Sequence, residues 1–225
     1  LPATFGEENE CTSLEITCID KDLNLKVVLM YTVFEDLDAI TRSVKIINEG
    51  KEKIYLTKVL SMCIDFDGMD YDMISLHGSW ARERHIDRRK VSHGTQTVSS
   101  VRGETSHQDA PFIALMDSKA TDDYGNVYGF NFVYSGNFLA QVEGCQFDTT
   151  RVLMGINPTD FEWRLDSGEE FTAPEVVMVY SDCGIGKMTR TFHDLYRNHL
   201  IRGKYKDKKR PILINNWEAT YFDFD

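Results

Sequence analysis

The stretch Leu23-Asn24-Leu25-Lys26-Val27-Val28-Leu29-Met30-Tyr31-Thr32-Val33-Phe34 decides the fold class. Its odd positions are all apolar from Leu23 to Val33, while Asn24, Lys26 and Thr32 on the other register are polar. A two-residue period is the signature of a half-buried strand, because successive side chains point to opposite faces. Just upstream, Leu14, Ile16 and Cys18 repeat the period, and Asp20-Lys21-Asp22 supplies turn residues between the two runs. The pair predicts an antiparallel hairpin.

Working outward, Ile40-Arg42-Val44-Ile46 continues the meander, a turn follows at Asn48-Glu49-Gly50, and Ile54–Leu56 through Met62–Ile64 alternates again. Further strands are predicted at Phe112–Leu115, Val127–Tyr134, Asn137–Val142, Thr149–Gly155, Phe161–Leu165 and Thr172–Tyr180, separated by turn signals such as Asp122-Asp123-Tyr124-Gly125-Asn126 and Asp166-Ser167-Gly168. Short strands at this spacing with no helices between them predict a mainly β fold, a sandwich of two antiparallel sheets.

After Ser181 the period changes. Met188, Phe192, Leu195, Tyr196 and His199-Leu200 recur at intervals of three and four, which predicts an amphipathic helix over Gly186–Arg202 that Gly203 is suited to end. The basic run from Lys204 to Arg210 reads as a solvated connector. Then Pro211-Ile212-Leu213-Ile214-Asn215-Asn216-Trp217-Glu218 presents a continuous apolar run, as expected of a strand buried on both faces in a parallel barrel, with polar residues where it would emerge. The expected organisation is a β-sandwich over 1–182, a helix and basic linker over 183–209, and the start of a second domain over 210–225.

Composition narrows the function. In 225 residues, 36 acidic against 25 basic groups leave a net charge of -11, which repels phosphate backbones and anionic lipid, so neither nucleic acid nor membrane is an expected partner. No apolar run approaches the roughly 20 residues of a membrane helix. Cys11, Cys18, Cys63, Cys145 and Cys183 are odd in number, widely spaced and without a CxxC pair, which predicts free, mostly buried thiols in a reducing cytoplasm. No metal or cofactor is expected. His77, His85, His93 and His107 fall in one arginine-rich segment with Trp80, but their spacing matches no zinc pattern, and ion pairs are the expected role of the arginines. The polar segment Ser99–Pro111 reads as a long excursion from the sheet.

Specific runs now carry a resemblance. Arg210-Pro-Ile-Leu-Ile-Asn-Asn-Trp-Glu-Ala-Thr-Tyr-Phe-Asp-Phe224 resembles the opening barrel strand of family 36 glycoside hydrolases of the α-galactosidase type. Gly78-Ser-Trp-Ala-Arg-Glu-Arg84, Arg102-Gly-Glu-Thr-Ser-His-Gln-Asp-Ala-Pro-Phe112, Tyr134-Ser-Gly-Asn-Phe138 and Met154-Gly-Ile-Asn-Pro158 also resemble the family, in the family's order. One departure is Ala110, where relatives often carry Asn. The resemblance implies a mutarotase-like sandwich with further strands ahead of Leu1, then a catalytic (β/α)8 barrel and a C-terminal β-domain. It implies retaining hydrolysis of terminal α-1,6-galactosides such as melibiose and raffinose, without cofactor, by two aspartates from later barrel strands. No catalytic residue is therefore expected among these 225, and the nucleophile and the acid/base are expected downstream of Asp225. Homo-oligomers are also implied, for which the aromatic and arginine content of Trp80–Arg89 suits an interface.

Three residues remain as candidates to touch sugar. Trp217 falls at the expected C-terminal end of the barrel strand, where barrel enzymes build their sites, and its indole offers a plane for the C–H face of a hexose. Trp80 and His107, from the two family-like runs, are the others; Glu218 fits a structural pair equally well. Two other classes stay open: a noncatalytic carbohydrate-binding or assembly module, and an aldose mutarotase using His107 with Glu104 as acid and base.

Overall fold

A computed structural model describes residues 3–224. The predicted hairpin is present: β1 (Cys11–Asp20) pairs antiparallel with β2 (Leu25–Phe34), setting Leu14 opposite Tyr31, Ile16 opposite Leu29 and Cys18 opposite Val27. β2 pairs in turn with β3 (Ala39–Asn48). The sheet continues through β15 (Glu175–Ser181), β10 (Val127–Val133), β9 (Asp109–Asp117) and β6 (Tyr71–Ser79) to β7 (Arg82–Lys90), with β14 (Glu170–Thr172) also on β3. Over part of it lie a three-stranded sheet, β11 (Phe138–Gly144), β12 (Thr149–Ile156) and β5 (Leu60–Asp67), and a two-stranded one, β13 (Trp163–Leu165) with β4 (Ile54–Leu56). β8 (Gly94–Ser99) runs beside β11.

The core explains the sequence pattern. Between the layers, Met73, Ile113, Leu115, Phe130 and Phe132 of the large sheet meet Phe138, Val142, Val152 and Met154. On the opposite face, Ile74, Ala114, Met116, Val127 and Val177 meet Met188, Phe192 and Leu195 of α1 (Gly184–His199). The central strands are thus covered on both sides, which is why Phe112–Leu115 is a continuous apolar run and does not alternate. Helix and sheet approach closely at Gly129, where a Cβ would stand 2.5 Å from the Phe192 ring.

Several expectations are corrected. β6, β7 and β8 occupy residues 71–99, where no strand was read. In β7 every residue except Ile86 is charged or a histidine, because it is an edge strand solvated on its outer side, and charge there blocks further pairing. The predicted strand over Thr172–Tyr180 is split between β14 and β15 at Ala173-Pro174, since proline has no N–H for a ladder. The helix ends at His199, with Leu200 and Ile201 both donating to the Tyr196 carbonyl, before Gly203 is reached. The thiols are free, but none is fully buried: Cys18, Cys63 and Cys183 are exposed, because they lie on strand faces or turns that no layer covers. Cys145 is held below the usual thiol range by hydrogen bonds from the Thr149 hydroxyl and the Phe147 N–H.

The expected strand at Ile212–Asn215 has no partner strand. Ile212, Leu213 and Ile214 are 96%, 89% and 85% exposed, and the only regular element beyond them among the described residues is the short α2 (Trp217–Thr220). An apolar barrel strand is held by neighbours on both edges, and none is present among the described residues.

Candidate functional site

The two family-like runs that were far apart in sequence meet at one end of the large sheet. The β6–β7 hairpin turns at Trp80-Ala81, with Ala81 and Arg84 in the left-handed region at φ 58 and 60. Its shape is fixed locally: Glu83 Oε1 accepts from the Ala81 N–H at 3.0 Å, and a Cβ on Gly78 would lie 2.2 Å from the Arg82 carbonyl oxygen. The hairpin is tied to the loop ahead of β9 by the Gly78 N–H donating to the Gln108 carbonyl at 2.9 Å. That loop is itself anchored, by the Thr105 N–H on the Ser135 carbonyl and by the Gln108 N–H on Ser106 Oγ.

Between hairpin and loop is a recess of about 300 Å3, where Glu83, Arg84, Ser106 and His107 face Leu76 and Pro111. His107 is therefore brought against the hairpin that carries Trp80, whose indole stands 80% exposed at the tip. Glu83 carried no expected role and Arg84 only that of an ion-pair or interface arginine; the folded loop sets both opposite His107.

Trp217 is placed elsewhere. It opens α2, half exposed, and its ring partners are Tyr221 and Phe222 of its own segment, at 5.3 and 4.9 Å between centroids. Glu218 beside it is exposed. The structure does not bring Trp217 together with Trp80 and His107. Asp225, downstream of which the nucleophile and the acid/base are expected, lies outside the described residues.

The histidine cluster is dispersed. His77 and His85 are cross-strand neighbours, 6.2 Å between ring centroids, His93 lines a depression beside Cys145, and His107 is in the recess. No group of three or more His, Cys, Asp or Glu is arranged to hold a metal ion among the described residues. Of that segment's arginines, Arg88 and Arg89 form the ion pairs expected of them, whereas Arg82, Arg84 and Arg102 form none among the described residues. Arg88 forks onto Asp72, Ala120 and Ser118, Arg151 takes Asp65 bidentately, and Arg164 takes Asp166. The arginines hold the Asp65 and Asp166 carboxyls below the usual carboxylate range. Two carboxyls are pushed up by burial, Asp109 beside His77 and Arg89, and Glu175 beneath the N-terminal segment.

This arrangement can be set beside known proteins. The sequence profile described as Glycosyl hydrolase family 36 N-terminal domain matches residues 1–166, and that described as Melibiase matches residues 170–225. The chain belongs to glycosyl hydrolase family 36. Among family 36 relatives, the alpha-galactosidase AgaA of Geobacillus stearothermophilus is 55% identical over 226 aligned residues, covering 100% of this chain and 31% of that protein. Alpha-galactosidase Mel36A of Lactobacillus acidophilus is 45% identical, covering 97% of this chain and 30% of that protein. The chain thus spans about a third of the length of these relatives. A crystal structure of AgaA carrying two substitutions, in complex with stachyose, superposes at a TM-score of 0.97, covering 100% of this chain and 32% of that one. In family 36 terms, the Melibiase match begins inside the sandwich, because β14 and β15 both pair with β3.

Proposed function

We propose that this chain is the N-terminal portion of a retaining α-galactosidase that hydrolyses terminal α-1,6-galactosides of the melibiose and raffinose type. The observation that carries the reading is the 55% identity to an alpha-galactosidase along the whole chain. Retention needs two carboxyl groups roughly 5 Å apart, one as nucleophile and one as acid/base. The carboxyls here support placing that pair downstream of Asp225: those with lowered pKa are bound to arginine or lysine, Glu175 is capped by the Thr4 N–H, and Asp109 faces His77 and Arg89. Residues 210–225 are then the entry into the catalytic barrel, and the apolar Ile212–Ile214 run is its first strand once neighbours pair with it.

In this reading Trp217 stacks on a sugar ring at the barrel mouth, and Trp80 and His107 make further contacts with substrate. The enzyme acts in the cytoplasm as a homo-oligomer, with the exposed Trp80–Arg89 hairpin at a subunit interface. Of the other readings, a mutarotase needs its acid and base inside the sandwich, whereas Glu104 and His107 both lie on an exposed loop.

Release of 4-nitrophenol from its α-galactoside tests the proposal in the full-length protein, in this 225-residue chain and in a full-length Trp217→Ala variant. The full-length protein should turn over and the chain should not. A stacking loss of about 1–2 kcal/mol in Trp217→Ala corresponds to roughly a 5- to 30-fold fall in kcat/KM. Turnover by the chain at a rate near that of the full-length protein would place the catalytic carboxyls among these residues and overturn the assignment.

A further inference from the structure

Residues 201–210, which follow α1, are exposed throughout, so burial does not hold them to the sandwich. Polar contacts do, and they converge on one short stretch, Ala3-Thr4-Phe5, at the other end of the chain. The last turn of a helix leaves carbonyls without intrahelical donors. At α1 the N-terminal stretch and the connector supply them together: the Phe5 N–H donates to the His199 carbonyl at 2.9 Å, and Lys206 Nζ donates to the Asn198 carbonyl at 3.2 Å. The ammonium also suits the negative end of the helix dipole. Arg202 Nη1 reaches back to the Ala3 carbonyl at 2.7 Å. Both cations stand over one ring, Arg202 Cζ at 4.3 Å and Lys206 Nζ at 5.4 Å from the Phe5 centroid. An aromatic face attracts cations through its quadrupole.

The N-terminal stretch is tied to the core on its other side. The Thr4 N–H donates to Glu175 Oε1, on a carboxyl buried at the start of β15, and the Phe5 ring meets the buried His199 ring edge-on. His199 in turn packs on Phe34 at 4.7 Å between centroids. Beyond Lys206 the described residues hydrogen-bond only within their own segment. Among the described residues, Phe5 therefore marks the last point at which the connector is fixed to the sandwich.

We propose that Ala3-Thr4-Phe5 is a clamp on the interdomain connector, in which the Phe5 ring holds the Arg202 and Lys206 cations and so sets the direction in which the chain leaves the sandwich. Phe5 is a positioning residue, and the inference rests on the reading of residues 210–225 as the entry into a second domain.

Hydrogen exchange followed by mass spectrometry on the full-length protein tests the clamp. The peptides to follow span residues 200–206, where the Ile201 and Lys206 N–H groups donate to the Tyr196 and Gly203 carbonyls. Exchange there, corrected for intrinsic rate, reports the population of the opened connector. Phe5→Leu keeps the apolar bulk and removes the ring face, and the loss of two cation–π contacts should raise exchange about fivefold or more. Phe5→Tyr should return it to the wild-type rate. Arg202→Gln together with Lys206→Gln should raise it about as far, and adding Phe5→Leu to that pair should change little further, because both sides of one interaction are then already lost. Peptides from β10 and β15 should exchange as in wild type in every variant. Exchange in Phe5→Leu equal to wild type, or a rise that Phe5→Tyr does not reverse, overturns the proposal. A rise that spreads to β10 and β15 also overturns it, since Phe5 would then serve general stability. Absence of α-galactoside hydrolysis by the wild type would instead remove the α-galactosidase reading, and the exchange rates would still decide the clamp.

Discussion

Glu175 opens β15 with 2% of its surface exposed, and its Oε1 accepts the Thr4 N–H at 3.1 Å. Burial pushes its carboxyl up, opposed only in part by hydrogen bonds from the N-terminal segment. A folded-state pKa above the unfolded one gives stability that is fully present below the unfolded value and is lost as pH rises through the folded value. Glu175→Gln keeps an acceptor for Thr4 and removes the buried charge. Urea unfolding should therefore find the variant more stable than wild type at pH 8, by on the order of 1 kcal/mol, with the gap closing as the pH falls through the carboxylate range. A gap that widens on acidification would mean that Glu175 is ionised and paired in the folded protein. Nothing in the Pro174-Glu175-Val176 triplet marks the carboxyl as buried, since the contact that covers it comes from residue 4.

At the scale of elements, α1 was legible from its period because one stripe must face the sheet. Met188, Phe192 and Leu195 do so, and the Tyr196 hydroxyl reaches Asn131 on β10. Leu195 is fully buried, so Leu195→Ala should destabilise by about 2–5 kcal/mol, read as a lower urea midpoint at unchanged slope. No change in midpoint would show that the helix contributes little to the fold. β7 was not legible for the converse reason. Its partners are backbone atoms of β6, and Arg82, Arg84, Arg88 and Arg89 carry no apolar alternation to announce a strand.

Among the described residues, neighbouring apolar side chains are left open together on the β1–β2 hairpin, where Leu14 and Ile16 are exposed, and along the Ile212–Ile214 run. Patches of this kind mark interaction sites. The 225-residue chain on its own should bind an apolar dye such as ANS, and replacing Ile212, Leu213 and Ile214 together by serine should lower the fluorescence severalfold if that run is the main site. Fluorescence insensitive to the triple replacement would move the open surface to the sheet.

The alternation of Leu23–Phe34, the turn at Asp20-Lys21-Asp22 and the three-and-four spacing from Met188 to Leu200 determined by themselves that this is an antiparallel β protein followed by one helix. Those signals are local: each is set by which face of one element meets the core. The family was legible as well, in runs whose order is preserved along the chain. Tertiary structure alone decided that His107 lies against Glu83 and Arg84, that the four clustered histidines separate, and that Trp217 stands apart from Trp80. It alone decided that Thr172–Tyr180 breaks at Pro174, although the proline was in view, because the neighbouring register of β3 determines where a missing N–H can be tolerated. Such placements depend on loop closure and strand register between residues tens of positions apart, and no periodicity in sequence encodes them.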